Sequence, residues 1–360
     1  MPMTLYKRQA LRELYVTDHD EILRLQAEWQ LHPLRKDWYT LDRCYEIWDL
    51  MQKIKVLKAE RKAVILAHSY VVSEVQAVAD KVSDSYALSL EARATQDADV
   101  ILFAGVHFMA ETAKILNPEK TVLIPDMLAG CSLAESADED DVMDWLDKLR
   151  AQYADLVVVT YINSSAAVKA QSDVIITSSN ARAILEKLPN RNIAFLPDKF
   201  MGAYFQERMP EKTFHLWNGT CMVHEQITPE EYQRILAHWP NAVLVTHLEA
   251  PPKTTAMSHF TGSTTAMLKY AETLPPGTTV VLGTACGVPT LLRQRLAKLG
   301  KERDLTVVGG CYTCPHMERN TIEGVYRALL TMQPEVKVEA PIAAQALKAI
   351  ERMIALAGEV

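Results

Sequence analysis

The stretch VVVTYINSSAAVKAQSDVIITSSN, residues 157–180, decides the fold. A β-branched apolar run ends in a largely polar triplet, Tyr161–Asn163. A helix-like segment follows, then a second apolar run, then a second polar cluster at Thr177–Asn180. Short continuous apolar runs separated by helix-like segments predict strands buried on both faces of a parallel sheet and joined by crossover helices.

The same design recurs on both sides of that stretch. VILAHSY ends in His68–Tyr70 and is followed by SDS at Ser83–Ser85. AVLVTHLE ends in His247–Glu249 and is followed by TGSTT at Thr261–Thr265. Helix-like segments come next in every case (YALSLEARATQ, ARAILEKL, TAMLKYAETL), and then new apolar runs, ADVILFAG, NIAFLP and TTVVLGT. Three similar α/β units are expected, at 59–150, 151–238 and 239–330. Ligands of parallel α/β sheets bind beyond the carboxyl ends of the strands, where both polar clusters of each unit fall. Residues 1–58 carry apolar positions at helical spacing (Ile22, Leu25, Trp29; Trp48, Met51, Ile54) and read as a helical extension without chemistry of its own. A helix at 341–357 is expected to pack on the first unit.

Composition narrows the function. Of 360 residues, 49% are apolar and 23% charged, ordinary for a globular enzyme. No run approaches the roughly 18 apolar residues of a membrane span. The opening stretch is charged and lacks the apolar core of a secretory signal, which makes the cytoplasm the expected location. A net charge of −7 without a basic run argues against nucleic acid as a partner.

The cysteines share the period. Cys131 and Cys221 are 90 residues apart, Cys221 and Cys314 93, so one cysteine per unit would meet near a common pseudo-threefold axis. A C-x-x-C pair, Cys311 and Cys314, reads as a redox couple, half of a zinc site, or a cluster ligand with a neighbour. Three gathered thiolates would leave one coordination position open, and on an iron–sulfur cluster that means one iron free to act as a Lewis acid. Three ordinary buried thiols are the plainer reading. Cys44 and Cys286 are read as buried thiols, and Cys311 as a redox neighbour of Cys314.

The motifs AHSYVVSEVQAVADKVSDSYALS, FAGVHFMAETAKILNPEKTVLIPD, VVVTYINSSAAVKAQSDVIITSSNA, LPDKFMGAY, GTCMVHEQIT and STTAM, with the last cysteine, occur in order. In these the chain resembles the quinolinate synthases, iron–sulfur enzymes of de novo NAD biosynthesis, from about Lys62 to Ala357. The resemblance implies three α/β domains with parallel sheets related by pseudo-threefold symmetry, with active site and cluster at their junction. It implies condensation of iminoaspartate with dihydroxyacetone phosphate to quinolinate, and a functional link to the L-aspartate oxidase that supplies iminoaspartate. It implies a [4Fe-4S] cluster on Cys131, Cys221 and Cys314, proton transfer by Tyr70 with His68 beside it, and later dehydrations handled by His247 and Glu249. Substrate binding would fall to Ser85, Tyr161, Asn163, Ser178, His224, Ser263 and Thr264. The chain departs from the family pattern in HLE, where H-P-E is usual, and in Val308, which stands at the first position of a longer cysteine run. A non-catalytic iron–sulfur redox sensor and a cluster-dependent hydro-lyase on another small dicarboxylate are the alternatives.

Overall fold

The computed structural model describes residues 5–32, 34–301, 304–308 and 312–358. Three four-stranded sheets carry the fold, and every strand pair in them is parallel. The first contains β1 (Ala63–His68), β2 (Lys81–Ser83), β3 (Val100–Ala104) and β4 (Thr121–Leu123) in the order β2-β1-β3-β4. The second contains β5 (Val157–Tyr161), β6 (Val174–Ile176), β7 (Asn192–Leu196) and β8 (Thr213–Leu216), ordered β6-β5-β7-β8. The third contains β9 (Val243–His247), β10 (Phe260–Gly262), β11 (Thr278–Gly283) and β12 (Leu305–Val308), ordered β10-β9-β11-β12. The strand order is the same each time, as the sequence repeat requires.

Register explains why each unit has two polar clusters. Parallel pairing sets His68 opposite Ser83, Tyr161 opposite Ile176 and His247 opposite Gly262. The triplet ending one strand and the cluster ending its neighbour therefore lie side by side at one sheet edge. Ile65, Leu66, Val159, Phe195, Val245 and Leu282 are fully buried, in keeping with strands covered on both faces.

The extension forms helices Leu5–Leu14, His19–Trp29 and Leu41–Glu60, the last started by Thr40, whose hydroxyl accepts from Arg43 N. Its Ile22, Leu25, Trp29, Ile47 and Ile54 join the main hydrophobic core. Beyond the third sheet the chain turns back: helix Ile322–Thr331 packs on helix Leu41–Glu60 and β3, and Asn320 donates to Gly105 O at 2.8 Å.

The C-terminal helix, Ala340–Ala357, differs from expectation. It lies chiefly on β6 and helices Ala166–Ala170 and Ala181–Lys187 of the second unit, and meets the first mainly at helix His107–Leu116. Its buried stripe, Ala346, Ala349, Ile350 and Met353, has small residues that let it approach the equally small surface of Ala166–Ala170. Lys187 Nζ, at 2.5 Å from Leu356 O, anchors its end. Ile350→Ala should open a cavity there and cost about 2–5 kcal/mol, read as a lower denaturant midpoint; a change under about 0.5 kcal/mol would mean that this helix is not part of the cooperative core.

Candidate active site

The three sheets point their carboxyl edges at one chamber, the place where parallel α/β sheets bind their ligands. His68, Tyr70 and Ser85 reach it from the first unit, and Tyr161, Asn163, Ser178 and His224 from the second. His247, Glu249 and Thr264 reach it from the third, and Cys131, Cys221 and Cys314 share its wall. Phe108, Met109 and Met222 form an apolar side. Ser263 is not on the wall: its Oγ accepts from Ala266 N and caps helix Thr264–Glu272, because a serine just before a helix is drawn to the unpaired first-turn amides.

A chain of hydrogen bonds runs through the units. Tyr161 donates to Glu249 Oε1 at 2.6 Å, and Glu249 Oε2 lies 3.0 Å from His224 Nδ1. His224 Nε2 is 3.0 Å from Thr284 Oγ1, which is 2.9 Å from the Tyr70 hydroxyl, itself 2.9 Å from Thr264 Oγ1. Thr284 was not singled out from the sequence. It stands one residue beyond β11, in a run that reads simply as strand, and only the fold shows that it joins Tyr70 to His224.

Burial sets the charges. It works against an ionised Glu249, but His224, His247 and the Tyr161 hydroxyl outweigh it, so the carboxyl is held below the usual range. Burial pushes Tyr70 and Tyr161 up, aided in both by the negative charge of Glu249. Burial lowers His68 to about 4 and His247 to about 3. Each of these imidazoles accepts at Nδ1 from the backbone N–H two residues on, Tyr70 N at 3.2 Å and Glu249 N at 3.4 Å. The same turn thus appears in two repeats, and it fixes both rings as neutral Nε2–H tautomers.

Other groups brace this network. Asp84 of the first unit accepts at Oδ2 from Ser179 Oγ of the second at 3.0 Å and from Thr265 Oγ1 of the third at 2.6 Å. All three belong to polar clusters visible in the sequence, yet their meeting is a tertiary fact. Lys169, fully buried, donates to Ser164 O at 2.6 Å and Phe108 O at 3.3 Å, holding the turn that carries Asn163, whose Oδ1 is buried without a partner. Asp198 is fully buried and caps helix Lys199–Arg208, accepting from Phe200 N and Met201 N. Burial first, and then Glu249, raise its carboxyl well above the ordinary range.

Cys131, Cys221 and Cys314 are free thiols. Burial pushes Cys131 up to about 12 and raises Cys221 and Cys314 as well, so they favour the thiol until a cation draws off the protons. Among the described residues, the one trio of donors mutually within 4.8 Å is Cys221, His224 and Glu249. The site therefore has residues able to hold a metal. Cys44 is buried at 1% exposure, as expected. Cys286 departs from the plain-thiol reading, being disulfide-bonded. Cys311 lies outside the described residues.

Three parallel α/β units share a chamber of neutral histidines, a buried carboxylate, two tyrosines and three thiols, the make-up of an enzyme site with residues able to hold a metal. The family model described as quinolinate synthetase A protein matches residues 52–355. The quinolinate synthase of Caldicellulosiruptor saccharolyticus is 40% identical over 311 residues, covering 86% of this chain and 99% of the relative. That of Clostridioides difficile is 41% identical over 309 residues, 86% and 98% of the two chains. That of Prochlorococcus marinus is 43% identical over 305 residues, 84% and 89%. The chain belongs to the quinolinate synthase family. No helix among the described residues is long and apolar enough to cross a membrane.

Two outcomes follow from the network. Thr284→Val keeps the shape but cuts both bonds of the relay, and should lower turnover by about 10²-fold or more with little change in thermal stability; turnover within twofold of the parent would show that protons do not pass this way. His68 has a folded value of about 4 against an ordinary 6.5, so the unfolded chain takes up its proton first as pH falls. The apoprotein should lose stability from about pH 6.5 down toward 4. His68→Gln should flatten part of that slope in unfolding titrations, and an unchanged slope would refute the buried neutral assignment.

Proposed function

We propose that the chain condenses iminoaspartate with dihydroxyacetone phosphate to quinolinate, releasing phosphate and two waters, as a transferase of NAD biosynthesis in the cytoplasm. The observation that carries this reading is the single chamber walled by three free thiols, one from each third of the chain, beside a buried acid–base relay. Cys131, Cys221 and Cys314 would hold a [4Fe-4S] cluster. Three soft thiolates suit iron–sulfur ligation. One tetrahedral ion with metal–sulfur bonds near 2.3 Å would bring its sulfurs to within about 4 Å of one another, closer than these three lie, since they form no trio within 4.8 Å. When bound, the cluster would supply an open iron, a Lewis acid for a substrate oxygen or nitrogen.

The chain's own residues handle the protons. Tyr70, pushed up by burial, is a weak base alone, but it can take a substrate proton as its own passes through Thr284 Oγ1 to His224 Nε2. The Nδ1–H of His224 faces the ionised Glu249, so the imidazolium that forms is paired at once in a low-dielectric site. His247 and His68, neutral with Nε2–H donors, would hydrogen-bond substrate oxygens and stabilise the charge that develops on departing hydroxyls, while the proton held on His224 returns through Thr284 and Tyr70. The amide N–H group of Asn163 and the hydroxyls of Ser85, Ser178 and Thr264 would donate to carboxylate and phosphate groups, and the unpartnered Asn163 Oδ1 would accept from a substrate N–H or O–H. Tyr161, spent on Glu249, would position that carboxylate while its ring closes the wall. A supply of iminoaspartate from an L-aspartate oxidase belongs to the same reading.

A second reading has its own support. Cys221, His224 and Glu249 could hold one ion with Zn²⁺-like ligands. Metal analysis of anaerobically purified protein separates the two. About four irons and four acid-labile sulfides per chain, with quinolinate formed from the two substrates, support the cluster, and Cys314→Ala should then abolish both. One zinc per chain, or a Cys314→Ala protein with full iron and sulfide, would overturn it.

A further inference from the structure

The family match begins at residue 52. The C. saccharolyticus relative is matched over 99% of its length by 86% of this chain, which leaves 14% (100 − 86) of this chain outside the match. Helices Leu5–Leu14 and His19–Trp29 and the start of Leu41–Glu60 lie before the matched residues, and their position is not random. They fold over the seam where the first and third units meet behind the chamber.

Among the described residues, polar contacts from Glu28, Arg35, Tyr39 and Arg43 cross from the extension to that seam. Tyr39 donates to Glu74 Oε2 at 2.5 Å, with both residues almost fully buried. Glu74 lies in helix Ser73–Val78, four residues after Tyr70. Glu28 Oε1 accepts from Gln294 Nε2 at 2.8 Å, on helix Gly287–Lys298 of the third unit. Arg35 pairs with Glu318 at 3.4 Å, and Arg43 pairs with Glu323. Glu318 belongs to the turn that presents Cys314, since its N–H donates to Cys314 O at 3.0 Å.

The extension is built to hold these contacts still. The Tyr39 carbonyl accepts from both Gln26 Nε2 at 2.9 Å and Gln30 Nε2 at 3.0 Å, and the Arg43 guanidinium lies 4.5 Å from the centre of the Trp38 ring. His32 of the extension walls a second, small cavity that shares Tyr70 and Cys314 with the main chamber. Across one thin wall, therefore, lie a tyrosine of the proton relay and a thiol of the donor set, and the extension backs that wall.

We propose that Tyr39 and Arg35 are positioning residues for the reaction: acting through Glu74 and Glu318, they hold the loop of Tyr70 and the loop of Cys314 in fixed relation and close the rear of the chamber. A buried carboxyl left without its partner tyrosine draws in water and moves, and the helix beside Tyr70 moves with it. Losing Arg35 frees the Cys314 turn. The role rests on the reading of Tyr70 as an acid–base group, but the geometry of the wall can be measured without substrates or cluster.

The test uses the full chain carrying Tyr39→Phe, Arg35→Met or both, with Arg35→Lys as the conservative variant. Arg8→Met serves as a control, because Arg8 pairs with Asp42 inside the extension, away from the seam. In reduced apoprotein, maleimide labelling of each cysteine is followed by mass spectrometry, beside thermal unfolding. Local opening of one wall predicts a Cys314 labelling rate raised about tenfold in Tyr39→Phe and Arg35→Met, an unchanged Cys221 rate, and near-normal labelling in Arg35→Lys and Arg8→Met. In loaded enzyme the same two variants should lower kcat more than they alter KM. Labelling of Cys314 and Cys221 that rises in parallel with loss of thermal stability, or that does not rise at all, would overturn the proposal. Absence of quinolinate formation in the parent protein would instead count against the proposed function and leave the labelling result standing.

Discussion

Glu249 is a carboxylate with 3% of its surface exposed, and an isolated charge at that depth is untenable without compensating partners. Its compensation comes from far along the chain: the Tyr161 hydroxyl ends a strand of the second unit, and His224 follows the same unit's cysteine. Seating this one group thus requires the second and third units to close on each other. The Thr284 hydroxyl then extends the network to Tyr70 of the first unit. The geometry that makes the carboxylate tolerable is also the geometry that gives His224 a partner when it gains a proton.

The opposite side of the junction repeats the device with different chemistry. Asp84, Ser179 and Thr265 come from equivalent places in three units and meet through two hydrogen bonds to one carboxylate. Serine and threonine donors suit a partly exposed carboxylate, where histidine partners would be needed only at full burial. The threefold arrangement is therefore symmetric in backbone and asymmetric in side chains. Chemistry needs the asymmetry: one acid, one base and distinct anion contacts cannot be made by three copies of one residue. The extension, packed over one seam only, breaks the symmetry further.

Much of the site was legible because strand ends are a fixed address. Tyr70, Tyr161, Asn163, His247 and Glu249 stand just past β-branched runs at matching phase, and parallel sheets place such positions at the ligand-binding edge. Ser263 misled because its local capping demand is stronger than its place in the repeat. Thr284 and Asp198 were hidden for the opposite reason: nothing in VVLGT or LPDKF distinguishes a residue facing a relay from one facing a helix. The same holds for Cys286, whose bonded state depends on another part of the chain, and for the C-terminal helix, whose small-residue stripe says that it packs closely but not on what.

What the sequence determined by itself was everything carried by periodicity: three units of one design, parallel sheets, the edge at which ligands gather, and the three cysteines in phase. The sheets and their ligand edge follow from short-range strand and crossover geometry, which leaves few choices, and the units and cysteines from repetition of that pattern along the chain. Tertiary structure alone decided which side chains meet across units: Thr284 between Tyr70 and His224, Asp84 under Ser179 and Thr265, Tyr39 against Glu74. Those contacts join residues from 35 positions apart, Tyr39 and Glu74, to 214 apart, Tyr70 and Thr284. No local pattern encodes such distances, because they are set by how the packed cores fit together.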